Sequence, residues 1–219
     1  PDKSNSLAHT HPHLVAEYAD DNELPADQVV AGTNKKLKWV CKKCGYRWES
    51  MGSNRVAGKS CRACANHIVK PDKSNSLARM YPELLEDYAD DNEQLPDEVV
   101  AHTSAKLKWK CHTCGYRWVV PGNKRARGDG CRACDNKAVK PDKSNSLAYL
   151  YPDLFAEYAP ENDLPADEVV AETEKKLKWV CKKCAYPWEA VGSSRIRGHG
   201  CPLCGIKKAR ETRRRNRVK

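Results

Sequence analysis

The apolar positions fall into two rhythms, one helical and one extended. Leu7, His11, Leu14 and Tyr18 are spaced by four, three and four residues, the stripe of one helical face. Pro12 lies inside that stripe, where it would break a continuous helix but suits the first turn of a new one. The pattern predicts a short turn near Leu7 and a helix from Pro12 to about Ala19, with Ser4 and Ser6 as candidate caps. A polar connector with Pro25 and Val29–Val30 follows. Leu37-Lys38-Trp39-Val40 then alternates as a strand does, and Tyr46 to Ser50 reads as a second strand. Gly52-Ser53-Asn54 marks a turn, and the residues after Cys61 are expected to start a short helix.

The whole pattern recurs seventy residues later, twice. PDKSNSLA stands at Pro1, Pro71 and Pro141. Tyr81, Pro82, Leu84, Leu85 and Tyr88 repeat the first stripe, as do Tyr151, Pro152, Leu154, Phe155 and Tyr158. The period divides the chain into modules 1–70, 71–140 and 141–206 and a basic tail, 207–219. Linkers are almost absent, so the modules are expected to sit close together. The aromatic stripe reads as core rather than as a base-stacking surface. So do Trp39, Trp109 and Trp179, and Trp48, Trp118 and Trp188, in a chain with a single Phe.

Modules of about 70 residues gain little surplus stability from an apolar core alone. The twelve cysteines supply a staple. They form CxxC pairs: Cys41, Cys44, Cys61 and Cys64; Cys111, Cys114, Cys131 and Cys134; Cys181, Cys184, Cys201 and Cys204. Two intervening residues place both sulfurs on one side of a tight knuckle, suited to a shared tetrahedral ion. This favours three structural Zn²⁺ ions, one per module, over a disulfide framework. A thioredoxin-like redox pair is disfavoured, because no βαβ pattern surrounds the cysteines. Four thiolates leave no open position for water, so metal-assisted hydrolysis is not expected.

The formal net charge is +10. Each Zn²⁺ with four thiolates carries −2, so three sites offset six of those charges. The distribution says more than the total. Residues 1–34, 71–104 and 141–174 carry −5, −7 and −8; residues 35–70, 105–140 and 175–219 carry +9, +8 and +13. An acidic half thus precedes a basic, metal-binding half in each copy, as a phosphate-facing surface would require. No apolar run is long enough for a membrane span. No leader is visible, and a start at Pro1 on a repeat boundary reads as part of a longer parent chain with further domains. Reduced thiols place the chain in an intracellular compartment: cytoplasm or nucleoid, or nucleus for a eukaryotic or viral source.

Knuckle, hairpin, then a helix carrying the last two ligands is the treble-clef order. With the string SLA…P-x-L…E-Y…N…P…V…L-K-W-x-C-x-x-C-G-Y-x-W…R-x-x-G-x-x-C-x-x-C, each copy resembles the probable zinc-ribbon or treble-clef domain found in tandem arrays in bacterial and viral proteins. The resemblance ends near Gly205. It implies small α+β zinc modules, each with a helical N-terminal half, a knuckle, a β-hairpin and a short helix. In that family the first knuckle often pairs a Cys with a His; here Cys41 and Cys44 stand, and Tyr46 is no ligand. Similarity to other treble clefs implies nucleic-acid binding, often beside nuclease or recombinase domains.

Several basic positions recur as candidate contacts. Arg47 and Arg117 lie between Tyr and Trp on the second strand, with Pro187 in the third copy. Arg55, Arg125 and Arg195 follow the hairpin; each is either a fork aimed at phosphate or guanine, or a bridge to an acid of the helical half. Lys59, Lys124, Arg127, Arg197 and His199 flank them. Arg62 and Arg132 sit inside the second CxxC, where copy three has Pro202. Lys35, Lys36, Lys38, Lys42 and Lys43 and their counterparts form a second basic cluster. Arg213, Arg214 and Arg215 lead the tail, expected as a helix or a disordered arm. Together these point to a non-enzymatic DNA-binding array, duplex DNA preferred to RNA, with one short site element per module if recognition is sequence-specific. No membrane or small-molecule substrate is expected. A protein-interaction scaffold, or the targeting region of a larger nuclease or recombinase, is the alternative.

Overall fold

The computed structural model describes residues 3–217; Pro1 and Lys219, named above at the repeat start and in the tail, lie outside the described residues. Each copy is built in the same order. The first begins with a 3-10 turn, Lys3–Asn5, then helices α1 (Leu7–Thr10) and α2 (Pro12–Val15). A hairpin follows, strands β1 (Lys36–Val40) and β2 (Arg47–Met51), then helix α3 (Gly52–Val56). The second copy gives α4 (Leu77–Met80), a 3-10 helix (Pro82–Asp87), β3 (Lys106–Lys110), β4 (Arg117–Pro121) and α5 (Gly122–Arg125). The third gives α6 (Leu147–Leu150), α7 (Pro152–Phe155), a 3-10 turn (Ala166–Glu168), β5 (Lys176–Val180), β6 (Pro187–Val191), α8 (Gly192–Ile196) and α9 (Pro202–Arg217).

The short turn near Leu7 forms as expected, and its cap is Ser6, whose Oγ accepts the His9 N–H at 3.3 Å. Ser76 and Ser146 cap α4 and α6 in the same way. The second helix is shorter than its stripe predicts, ending at Val15 rather than near Ala19. Tertiary pairing takes over the backbone there. Glu17 O accepts the Val40 N–H, Ala19 N donates to Lys38 O, and Tyr18 forms an antiparallel bridge with Trp39. Residues 17–19 thus add a short third edge to the hairpin. Asn22 closes that edge: its amide donates to Ala19 O and Lys38 O, and its Oδ1 accepts Lys38 N, each at 2.8 Å. Asn92 and Asn162 repeat the arrangement.

In the hairpins of copies one and three, Trp39 pairs with Trp48 and Trp179 with Trp188 across the strands. The first tryptophan of each copy (Trp39, Trp109, Trp179) is wholly buried. Its indole N–H donates to the backbone oxygen of Ser50, Val120 or Ala190, so the apolar body is buried without stranding its polar handle. Tyr18, Tyr88 and Tyr158 pack edge-on against these rings with centroids 5.6–5.7 Å apart. Leu7, Leu14, Val29 and Leu37 complete the first core. Gly52-Ser53-Asn54, expected as a turn, instead opens α3. Gly52 is required by close approach: a Cβ there would lie 2.6 Å from Ala31 O.

Backbone contacts group the chain into two compact units. The first runs to Trp109 and includes Val119–Asp129; the second holds Lys110–Trp118 and the chain from Gly130 onward. The boundary therefore falls inside the second sequence repeat.

Candidate metal centres and basic surface

In each copy the first CxxC forms the turn of the hairpin. Cys41 N donates to Tyr46 O, Gly45 N donates to Cys41 O, and Gly45 adopts φ 70°. Gly115 does the same at φ 71°, but the third copy places Ala185 there at φ 54°. A left-handed conformation costs an L-residue roughly 1–2 kcal/mol. Ala185→Gly is therefore expected to stabilise module 3 by about 0.5–1 kcal/mol once the extra backbone entropy of glycine is deducted. Urea denaturation of the zinc-loaded chain checks this.

The second CxxC brings its sulfurs against the first. Cys41 and Cys64 Sγ lie 3.6 Å apart, and Cys44 and Cys61 3.7 Å. The corresponding pairs are 3.8 and 3.6 Å apart in copy two and 3.7 and 3.7 Å in copy three. A tetrahedron with Zn–S bonds of about 2.3 Å has edges of about 3.8 Å, whereas a disulfide requires about 2.05 Å. All four sulfurs of each set lie within 4.8 Å of one another. The thiols by themselves cannot all ionise. Backbone N–H groups of Lys183 and Cys184 help hold Cys181 down to about 7. In Cys111 burial opposes ionisation, but the Cys114 and Thr113 N–H groups outweigh it, again to about 7. Burial and then the neighbouring sulfurs push Cys64 and Cys134 up to about 12; Cys204 reaches about 12 chiefly through Cys184 and Cys181. A divalent cation is what allows four thiolates to share one site. The sets fit three structural zinc ions, one per copy.

After the second knuckle the copies diverge from the expected short helix. Residues following Cys61 and Cys131 make a single turn that ends at Asn66 (φ 57°) and Asn136 (φ 54°), a left-handed stop that Asn tolerates. His67 N and Lys137 N close these turns onto Arg62 O and Arg132 O. In the third copy Ile206 stands at the stop position, and the chain continues as the 16-residue α9.

The basic candidates separate by depth. Arg55, Arg125 and Arg195 are 7%, 7% and 5% exposed, which removes them from the surface expected to meet nucleic acid. They are bridges. Arg55 pairs with Glu17 and donates to Lys59 O; Arg195 pairs with Glu157 and donates to His199 O at 2.6 Å. Arg125 pairs with Asp87 at 2.6 Å and donates to Asp129 O. The Arg55 guanidinium also lies 5.2 and 5.3 Å from the ring centroids of Trp39 and Trp48, and Arg195 lies 5.0 and 5.1 Å from those of Trp179 and Trp188. Each arginine thus ties the helical half to the hairpin and fixes the loop leading into the second knuckle.

Arg47 is exposed but pairs with Asp21 at 2.7 Å, as does Lys38 at 3.3 Å. Lys38, and with it Arg47, holds the Asp21 carboxyl below its usual range. Arg117 is exposed on β4. Lys42, Lys43, Lys59 and Arg62 are exposed around the first metal centre; Lys124, Arg127 and Arg132 are exposed in copy two, and Arg197 and His199 in copy three. Arg213, Arg214 and Arg215 are exposed on α9, and no Lys or Arg of that helix forms an ion pair among the described residues. Two residue sets escaped the sequence reading: the acids Glu17, Asp87 and Glu157, and the asparagines Asn22, Asn92 and Asn162. Their seventy-residue recurrence was the available signal.

No curated protein is similar enough to count as a relative. A family model, described as a probable treble clef zinc finger domain, matches residues 14–67, 84–137 and 154–207, each span enclosing one four-cysteine set. Matched over most of its length in three tandem copies, the chain belongs to the probable treble clef zinc finger domain family.

Proposed function

We propose that the chain is a non-catalytic nucleic-acid-binding array that engages duplex DNA through the exposed basic side chains around its metal centres and along α9. The observation that carries this reading is α9. Its 16 residues span about 24 Å. Lys207, Lys208, Arg210, Arg213, Arg214, Arg215 and Arg217 face one acid, Glu211. From Lys207 onward, helical spacing spreads these cations over most of the cylinder and leaves only Ala209, Thr212 and Asn216 uncharged. A helix with no buried residue and so little internal neutralisation is stabilised by a polyanion. Lys59, Arg62, Lys124, Arg127, Arg132, Arg197 and His199 add exposed basic side chains at the individual knuckles, with Arg47 and Arg117 on the strands. Phosphate contacts of this kind position a protein without reading sequence.

The reading favours binding over catalysis, because a closed four-thiolate zinc site offers no open coordination position. No helix among the described residues is long and apolar enough to cross a membrane. The test is charge reversal on α9. Arg213→Glu, Arg214→Glu and Arg215→Glu together are expected to weaken binding to a 30-base-pair duplex at least tenfold, with zinc content unchanged. Undiminished affinity would remove α9 from the interface. Equal affinity for duplex DNA and for single-stranded RNA would replace the duplex preference with general polyanion binding.

A further inference from the structure

The segment between consecutive family matches, residues 68–83, contains a joint that no assignment covers. Asn75 is 5% exposed, and its amide is spent entirely on the preceding repeat. Nδ2 faces Ala63 O at 3.4 Å, Asn66 Oδ1 at 3.0 Å and Ile68 O at 3.1 Å, and Oδ1 accepts Lys70 N at 2.8 Å. Ala63 lies between ligands Cys61 and Cys64 and is wholly buried; Asn66 is the left-handed stop of the metal-binding turn. The backbone of Asn75 belongs to the other side: its carbonyl accepts Ala101 N, and Leu77 N donates to Val99 O. One residue therefore pins the zinc turn of copy one to the helical half of copy two.

The second joint has the same atoms in the same places. Asn145 reaches Ala133 O, Asn136 Oδ1, Ala138 O and Lys140 N at 3.4, 3.1, 3.0 and 2.8 Å, while its carbonyl accepts Ala171 N. Asn5 separates the two roles. Its carbonyl still accepts Ala31 N, but its side chain is exposed and makes no hydrogen bond among the described residues. The repeat's own fold thus uses the backbone of this position, and the buried side chain serves the neighbouring knuckle.

We infer that each joint is a metal-gated coupling surface: zinc at one repeat's site stabilises the helical half of the next repeat. Zinc orders the turn that presents the acceptors and donor to the buried amide. Without that turn, the amide loses its partners inside the protein, a costly state for a buried polar group. The coupling is reciprocal, because a surface that favours the ordered turn also favours its zinc. The physical unit is then a zinc knuckle plus the following helical half, offset from the seventy-residue sequence repeat.

Two variants of the full zinc-loaded chain test this. Cys61→Ser/Cys64→Ser removes one zinc, confirmed by elemental analysis falling from three ions to two. Amide exchange in residues 75–101 is then expected to accelerate at least tenfold, while residues 145–171, whose knuckle keeps its zinc, stay protected. Exchange in 75–101 at the parent rate would overturn the coupling. Asn75→Ala keeps every ligand, so it reports even if the first variant unfolds broadly. It is expected to speed alkylation of Cys61 and Cys64 under a chelator about tenfold, with the Cys181 set unchanged; Asn145→Ala should do the same for the Cys111 set alone. Alkylation of Cys61 and Cys64 at the parent rate in Asn75→Ala would also overturn it.

Discussion

Removal of zinc is expected to abolish the tertiary structure of all three modules. A module of this size draws only about 3–5 kcal/mol from its core, whereas a structural four-ligand zinc supplies about 10–16 kcal/mol of apparent binding energy at neutral pH. The metal ligands also form the hairpin turn, so their release frees both strands. Chelation should expose Trp39, Trp109 and Trp179, all wholly buried, and shift tryptophan emission to longer wavelength. All twelve thiols should become titratable, and re-addition of zinc should restore the native emission. Native emission that persists with every thiol accessible would show that the core stands without the metal.

The second largest effect belongs to the buried arginine. Glu17→Ala leaves the Arg55 guanidinium buried between two indoles without its anion, and removing one partner of such a pair costs about 3–5 kcal/mol. That equals most of what the module core supplies. Urea denaturation should show an early transition that starts in module 1 and reaches the helical half of copy two through the Asn75 joint, and exchange should rise across β1 and β2. Arg55→Lys should also destabilise, because an ammonium cannot reach Glu17 and Lys59 O with a planar fork. A loss below about 1 kcal/mol in Glu17→Ala would mean that the pair is hydrated and behaves as a surface bridge.

These two sites mark where the sequence was readable and where it was not. The metal centres were legible because their ligands are close in the chain and their spacing admits few alternatives. The strands were legible too, from the alternation around Trp39. Arg55 was not resolved between bridge and contact, because its partner lies 38 residues away and nothing local points to it. Helix α2 ends early for the same kind of reason: Tyr18 pairs with Trp39, and that contact overrides a local helical stripe. The difference between the turns after Cys61 and Cys131 and the long α9 rests on Asn66 and Asn136 against Ile206, a local signal whose meaning depends on left-handed backbone geometry. The Asn75 joint was hidden because the repeat boundary drawn from PDKSNSLA assigns that residue to one module while its side chain serves another.

Burial of Arg55, Arg125 and Arg195 narrows the DNA-binding reading without weakening it. These residues hold the framework; under the proposed function, the exposed cations of the knuckles and α9 are the ones that would carry the contact. Their engagement has a direct signature in salt. With about six to eight phosphates neutralised, log K should fall against log salt with a slope of about −5 to −7. The deciding measurement is fluorescence anisotropy of a labelled duplex with the zinc-loaded chain from 50 to 200 mM salt. The DNA-binding account predicts that steep slope, with affinity falling about a thousandfold or more across the range. A slope shallower than about −2, or no binding at 50 mM, would contradict it.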